Sequence, residues 1–231
     1  MTAERTKTTY TNPDSTDVNV SIHPSANIGD NVTIGEGTTV EADVTLLNGT
    51  SIGKKCIIGR SAFIAGGRIG DETVVGHDAM VARNVRIGHN STIKSDAVIG
   101  TGAEIGNESM IGERAQLSSY VRIDSDVTIG AHSRLGTRTT VCFGTTIGSF
   151  SSLDHDVYIA STREDPCEIG DGVHVGQSTY INKGVRIDDG ATLGAHVSAG
   201  VNASVGKKAL VSANTTIVTK SSVPDGAVFS G

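Results

Sequence analysis

An aliphatic residue occupies every sixth position along most of this chain. The series begins at Ile22, loses one residue between Ile64 and Ile69, and gains four between Ile159 and Ile169. It comprises 33 hexads, and 32 of the key positions hold Val, Ile or Leu. A period of six matches no helical face, so the pattern excludes a helical bundle. No helix-length segment separates the hexads, which excludes an open α/β sheet.

The residues around each key position predict a short strand and a corner in every hexad. The residue two positions before the key residue is small or β-branched, which suits a strand with both side chains facing inward. Gly follows the key residue in 18 of the 33 hexads, and we expect it to supply unusual backbone angles at the corner. Three hexads then form one triangular coil. The sequence predicts an all-β fold, a parallel β-helix of about 11 coils, roughly 50 Å long at the usual strand spacing.

The repeat also sets the expected domain boundaries. Residues 1–17 are polar, lack the apolar core of a secretory signal and are predicted to be a disordered tail. Residues 18–222 are predicted to form the β-helix, with an extruded loop at 160–168, and residues 223–231 a short C-terminal segment. The chain contains no run of 18 apolar residues, so no transmembrane helix is expected.

Composition narrows the classes of function. The formal net charge is −6, which argues against a non-specific nucleic-acid-binding protein. Trp is absent and aromatic residues make up 3%, which favours a narrow interior filled by medium-sized aliphatic side chains. Cys56, Cys142 and Cys167 are too few and too irregularly spaced for a disulfide framework or a zinc site. We therefore expect a cytoplasmic protein without a bound metal.

Tandem [LIV]-G-x-x-x-x hexads make the chain resemble the hexapeptide-repeat acyltransferases. "SIHPSANIGDNVTIG", residues 21–35, is similar to the opening of UDP-N-acetylglucosamine acyltransferases. "ALVSANTTIVTKSSVPDGAVFSG", residues 209–231, is similar to the ending of sugar and sialic-acid O-acetyltransferases. The resemblance implies a left-handed β-helix, a homotrimer, and acetyl-CoA-dependent O- or N-acetylation of a sugar or nucleotide sugar by direct attack on the thioester.

The same resemblance points to His155 as the general base. In "LDHDVYIA" the His-Asp pair has the register of the corresponding pair in both acyltransferase groups. The resemblance gives the adjacent Asp156 the role of orienting or polarising the imidazole. The insertion "STREDPCE" follows a few residues later, and we take its Arg163 as a candidate substrate contact.

Other interpretations of these residues remain open. His77 and His89 occupy the same hexad position as His155, so this position tolerates an exposed histidine and either of them is an alternative base. Asp156 lies three hexads after Arg138, which allows a surface ion pair instead of a catalytic role. His196 lies two coils beyond His155, where it is either part of a substrate groove or a solvated corner residue.

Candidate contacts for the acyl carrier lie in the last coils. We expect the backbone N–H groups of Gly194 and Gly200 to meet the pantetheine arm, although corners also require glycine. Three lysines are candidates for the CoA phosphates by charge attraction, and the alternative is that they are merely solvated: Lys207, Lys208 and Lys220.

Two other functions share this fold. A γ-class carbonic anhydrase needs two histidines five residues apart, and the intervals between the seven histidines here are 54, 12, 43, 23, 19 and 22 residues. A non-catalytic scaffold or regulatory subunit would use the same uninterrupted repeat. A scaffold, however, has no need of a loop near a His-Asp pair.

Overall fold

The computed structural model describes residues 7–230, which form strands and no helix. The strands form three sheets, which are the faces of a triangular prism, and within each face the strands of successive coils pair in parallel. The faces are named in the order in which the chain reaches them. Face A is 13-stranded because the N-terminal strand Lys7–Thr11 joins its edge. Its other strands are Asp17–Ile22, Thr39–Val40, Ile57–Ile58, Val74–Val75, Thr92–Ile93, Met110–Ile111, Thr128–Ile129, Thr146–Ile147, Glu168–Ile169, Arg186–Ile187, Ser204–Val205 and Ser222–Val223.

Faces B and C complete each triangular coil. Face B contains Asn27–Ile28, Thr45–Leu46, Phe63–Ile64, Met80–Val81, Val98–Ile99, Gln116–Leu117, Arg134–Leu135, Ser152–Leu153, His174–Val175, Thr192–Leu193, Leu210–Val211 and Val228–Phe229. Face C contains Thr33–Ile34, Thr50–Ile52, Gly67–Ile69, Val85–Ile87, Glu104–Ile105, Arg122–Ile123, Thr140–Val141, Tyr158–Ile159, Tyr180–Ile181, Ser198–Ala199 and Thr216–Ile217. We call the corners between the faces edges AB, BC and CA.

The core is a single column of aliphatic side chains inside the prism. Every key residue from Ile34 to Ile217 is buried, as the period predicts, and the small residue two positions earlier usually lies beside it. The predicted all-β parallel β-helix is therefore confirmed. The coils continue past residue 222, because Ser222–Val223 and Val228–Phe229 pair with the preceding strands of faces A and B. The C-terminal segment is thus part of the solenoid, which has one coil more than the predicted 11.

The glycine that directly follows a key residue serves a different structural purpose from the one predicted. The unusual backbone angle falls on the third residue after the key residue, as at Lys55 (φ 54°) and Asp78 (φ 57°). The Gly that directly follows the key residue instead allows adjacent coils to approach. At Gly35, for example, an added Cβ would lie 2.5 Å from the backbone carbon of Gly53 in the next coil. The prediction of unusual angles at this glycine is wrong.

The polar N-terminal segment is ordered where the structure describes it. Lys7–Thr11 pairs antiparallel with Asp17–Ile22. The Tyr10 hydroxyl donates a hydrogen bond to the Val32 carbonyl (3.0 Å), and the Asn12 side chain accepts one from the Ile34 amide (2.9 Å). This hairpin covers the open end of the first coil, where unpaired strand groups need partners. Disorder is therefore the wrong prediction for residues 7–17, and residues 1–6 lie outside the described range.

Candidate functional site

The four-residue insertion and His155 lie at different edges of the prism. His155 is in the corner between Ser152–Leu153 and Tyr158–Ile159, which is edge BC. The insertion follows Ile159 and emerges from edge CA, between Tyr158–Ile159 and Glu168–Ile169. The width of face C therefore separates them within one chain, although they are close in sequence. What they share is the face between them.

Corner positions are counted from the key residue, so the second corner position lies two residues after it. Side chains at this position explain why histidine recurs there. At this position, side-chain acceptors repeatedly bind the backbone N–H of the equivalent residue one coil earlier. His77 Nδ1 accepts from the Arg60 amide and His89 Nδ1 from the Asp71 amide, both at 3.0 Å. Seven other side chains make the same contact: Asn48, Asp71, Asn107, Ser125, Asp171, Asp189 and Asp225. His77 and His89 therefore hold neighbouring coils together.

His155 departs from this rule. Within residues 7–230, neither its ring nor that of His196 has a hydrogen bond or an ion pair. Both rings are exposed, and both lie on edge BC, two coils or roughly 10 Å apart. His23 contacts Ser25, His174 lies 3.8 Å from Asp154, and His132 stacks on an aromatic ring. The two histidines with free rings are thus the candidate base and the candidate substrate-groove residue, and both lie on edge BC.

Asp156 binds Arg138 and makes no hydrogen bond with His155. The Arg138 Nε and Nη2 atoms donate to the two carboxylate oxygens at 2.7 and 2.8 Å, a bidentate pair that bridges one coil. The Arg138 guanidinium lowers the pKa of Asp156 below its usual value. This contact is the surface ion pair of the alternative interpretation. It links the corner that carries His155 to the preceding coil.

A groove follows edge BC towards the N-terminus and ends at this ion pair. It encloses about 470 Å³ and is lined by Gly102, Glu104, Tyr120, Arg122, Arg138 and Thr140. The Tyr120 ring is exposed and lies over Gly102, where any side chain would overlap it. Edge BC therefore combines a groove, a fixed ion pair and two free imidazoles.

Two tyrosines form the floor of face C between His155 and the insertion. Tyr158 and Tyr180 are register partners on adjacent strands, and their rings stack at 5.3 Å with an interplanar angle of 2°. The Tyr158 hydroxyl lies 3.6 Å from Cys142 Sγ, and this hydrogen bond raises the pKa of Tyr158 to about 12. This pair was not predicted from the sequence. Their spacing of 22 residues, one coil of 18 plus the insertion, was the available signal.

The insertion is anchored rather than loosely attached. Lys183 Nζ binds the Asp165 carboxylate at 2.8 Å, and the Ser161 hydroxyl accepts a hydrogen bond from the Cys167 amide at 3.2 Å. Arg163 stands over the Phe143 ring, with 4.9 Å between its guanidinium carbon and the ring centroid. Arg163 thus lies at edge CA, away from His155.

The predicted carrier contacts do not gather at one place. The N–H groups of Gly194 and Gly200 donate to Val211 and Ile217 carbonyls at 2.8 Å, so neither is available to pantetheine. An added Cβ on either glycine would lie 2.6 Å from a backbone nitrogen of the next coil, so the coil contact requires them. Edge AB carries Lys207, which pairs with Asp189 at 3.4 Å, and Lys208; edge CA carries Lys220.

Two family models match parts of the chain. The GMPPB C-terminal domain model matches residues 11–111. The model of the hexapeptide repeat of succinyl-transferase matches residues 166–201 and 184–219. No curated protein matches. The matched segments include His196, and they leave out residues 112–165, which contain His155.

Several solved structures are similar at low identity. A Bacillus cereus protein assigned as an acetyltransferase is 20% identical and covers 57% of this chain and 76% of its own, with a TM-score of 0.49. Arabidopsis UDP-N-acetylglucosamine acyltransferase is 16% identical over 92% and 69%, with a TM-score of 0.43. Caulobacter crescentus GDP-perosamine N-acetyltransferase, a point mutant solved with CoA and GDP-perosamine, is 25% identical over 56% and 53%, with a TM-score of 0.23. At these values the similarities assign no activity.

Residues 7–230 contain neither a membrane-spanning helix nor a cluster of metal ligands. None of the residues from 7 to 230 lies in a helix long and apolar enough to cross a bilayer. Within the same range, no three His, Cys, Asp or Glu side chains are grouped so that they would hold a metal ion.

Proposed function

We propose that this chain is an acyltransferase, acetyl-CoA-dependent, that acetylates a hydroxyl or amine of a sugar or nucleotide sugar. One observation carries the proposal: His155 occupies a corner position where other histidines hold the backbone, yet its ring is exposed and has no hydrogen-bond partner in residues 7–230. An exposed imidazole without a hydrogen-bond partner has a ring nitrogen available to act as a general base. The match of residues 166–219 to the succinyl-transferase repeat supports the same class of reaction.

The chemistry requires a proton acceptor beside the nucleophile. As the acceptor oxygen or nitrogen attacks the thioester carbonyl carbon, His155 takes its proton. The C–S bond then breaks, the thiolate of CoA leaves, and the thiolate or water receives the proton. No covalent enzyme intermediate is needed. The Arg138–Asp156 pair positions the His155 corner, and His196 lies along the same edge as a candidate substrate contact.

The basic residues of edge CA are the proposed contacts for the carrier. Arg163 in the insertion and Lys220 lie on this edge, and residues 7–230 supply no carboxylate partner for either side chain. The CoA phosphates would meet them by charge attraction. Lys207 is a weaker candidate because Asp189 already pairs with it, and Lys208 lies beside it on edge AB.

A homotrimer is the assembly we propose for the active protein. The grooves of a single prism are open, and packing chains side by side would give them second walls. Face B carries three outward apolar residues in register near its N-terminal end: Phe63, Met80 and Val98. Met80 is 51% exposed and Val98 is 37% exposed, which suits a contact with another copy.

An acceptor panel tests the proposed activity. The full chain is incubated with acetyl-CoA and each of a set of amino sugars and nucleotide sugars, and thiol release is followed. In parallel, acetyl-CoA binding is measured by calorimetry. We expect turnover with at least one sugar acceptor. Absence of both turnover and acetyl-CoA binding would overturn the proposal and favour the non-catalytic scaffold.

A further inference from the structure

A second groove lies on edge AB, one face away from His155. It encloses about 570 Å³, within the usual range for small-molecule sites. One wall consists of third-corner residues of successive coils, Arg114, His132 and Phe150. The floor consists of outward residues of face B that are register partners, Gln116, Arg134 and Ser152. No part of the proposed acyl-transfer chemistry uses these six residues, which we call the AB groove.

The AB groove carries two arginines, Arg114 and Arg134, and one bordering carboxylate, Asp96. Arg134 is exposed and has no ion pair with any described residue. Arg114 makes only long contacts, 3.7 Å to Asp96, which also borders the cavity, and 3.8 Å to Glu113. By contrast, Arg186 in the equivalent position on face A lies 2.8 Å from Glu168. Arg134 therefore presents donors in a fixed fork that suits a phosphate group.

The wall of the AB groove presents a free aromatic surface. His132 and Phe150 stack with 4.8 Å between centroids and an interplanar angle of 3°. Phe150 is 67% exposed. The same corner position in the next coil is Gly172, where even an added Cβ would meet no atom within 4 Å. The column of stacked rings thus stops at Phe150, with space for one more planar ring beyond it.

We propose that the AB groove binds a nucleoside phosphate. The phosphate would bind Arg134 and Arg114, the base would stack on the exposed face of Phe150, and Gln116 and Ser152 would supply neutral hydrogen-bonding groups. Two kinds of ligand contain both a base and a phosphate: a free nucleoside diphosphate, and CoA through its nucleotide half. The proposal does not depend on the acyltransferase activity, since it concerns binding alone.

Calorimetric titration of the full chain tests the site directly. The probes are ADP, UDP, CoA, inorganic pyrophosphate and adenosine, at low ionic strength. The variants are Arg134→Gln and Phe150→Leu, and the matched control is Arg86→Gln, an outward arginine of face C that pairs with Glu104. Circular dichroism confirms that each variant is folded.

We expect ADP or UDP to bind the wild type, with an affinity lowered about tenfold or more by Arg134→Gln, because a charge-assisted hydrogen bond is lost. Phe150→Leu should weaken ADP and leave pyrophosphate unchanged, and Arg86→Gln should have no effect. A preference for CoA over ADP and UDP that Arg134→Gln abolishes identifies CoA as the ligand of this groove, and the reverse preference identifies a nucleoside diphosphate. Absence of binding by all probes, equal binding by adenosine and ADP, or affinities for ADP, UDP and CoA that are all unchanged in Arg134→Gln would each overturn the proposal.

Discussion

At the scale of single residues, the corner position decides what a polar side chain does. His89 and His155 occupy the same position in their hexads, yet the His89 ring accepts a backbone N–H and the His155 ring does not. The period of six does not predict this difference. It specifies which residues face inward, and it does not specify which outward side chains form hydrogen bonds. Our proposal of His155 over His77 and His89 as the base therefore depends on hydrogen-bond partners and not on the period.

Gly67 gives a residue-scale test of coil packing. It lies where one coil has 17 residues instead of 18, its φ is +131°, and an added Cβ would overlap the Val85 carbonyl oxygen. Gly67→Ala should lower the free energy of unfolding by about 3 kcal/mol or more, because strain and overlap add. Gly49→Ala, where φ is +74° and the added Cβ meets nothing within 4 Å, should cost about 1–2 kcal/mol. Equal losses in urea denaturation would contradict this account.

The Arg138–Asp156 pair gives a pH-dependent test. Its guanidinium lowers the folded-state pKa of Asp156, so the pair stabilises the protein above the unfolded-state pKa of Asp156 and loses that contribution as pH falls through the folded-state pKa. In Arg138→Gln the pKa of Asp156 should rise towards its ordinary value, as measured by carboxyl NMR titration. The stability difference from wild type should also shrink at acidic pH. An unchanged Asp156 pKa would show that the pair does not form in solution.

At the scale of elements, a column of hydroxyl groups inside face A links successive coils. Ser91 Oγ donates to the Gly106 carbonyl at 2.8 Å and accepts from the Ser109 amide at 3.2 Å, and both partners lie in later coils or corners. Thr38, Thr73 and Ser109 make equivalent contacts with corner carbonyls. Buried polar side chains in this solenoid thus satisfy the corner backbone and are not candidates for chemistry.

Ser91 substitutions measure what this column contributes. Ser91→Val should lower the free energy of unfolding by about 1–3 kcal/mol, because it leaves a buried carbonyl and a buried amide without that partner. Ser91→Thr keeps the hydroxyl, and threonine already occupies Thr73 one coil earlier, so it should stay close to wild type. Chemical denaturation compares the two variants. Similar losses for Val and Thr would mean that side-chain volume, not the hydroxyl, sets the effect.

The period of six predicted most of the fold and only part of the site. It predicted the three faces, the buried key residues and the position of the insertion, because inward packing repeats strictly. It did not predict the N-terminal hairpin, since Tyr10 and Asn12 act by covering a coil end and belong to no hexad. Sequence proximity also suggested that the insertion adjoins His155, whereas successive corners of a triangle lie at opposite ends of a face.

At the scale of the whole molecule, the outward apolar residues of face B predict the assembly. We expect wild-type protein to have the mass of three chains in light scattering. Met80→Lys places a charge between Phe63 and Val98 and should release monomers. Thr128→Lys, on an outward position of face A, serves as the control and should leave the mass unchanged. A trimer that persists in Met80→Lys would contradict the assignment of this contact to face B.

The central claim is that His155, and neither His77 nor His89, is the general base, and matched asparagine substitutions test it most directly. Asparagine is the natural choice, because Asn48 and Asn107 already serve at this corner position. With the acceptor found in the panel, thiol release from acetyl-CoA is compared for wild type, His155→Asn, His77→Asn and His89→Asn at equal trimer content. His155→Asn should lose about 100-fold or more of kcat, and the other two should keep it. Full turnover in His155→Asn would contradict the account.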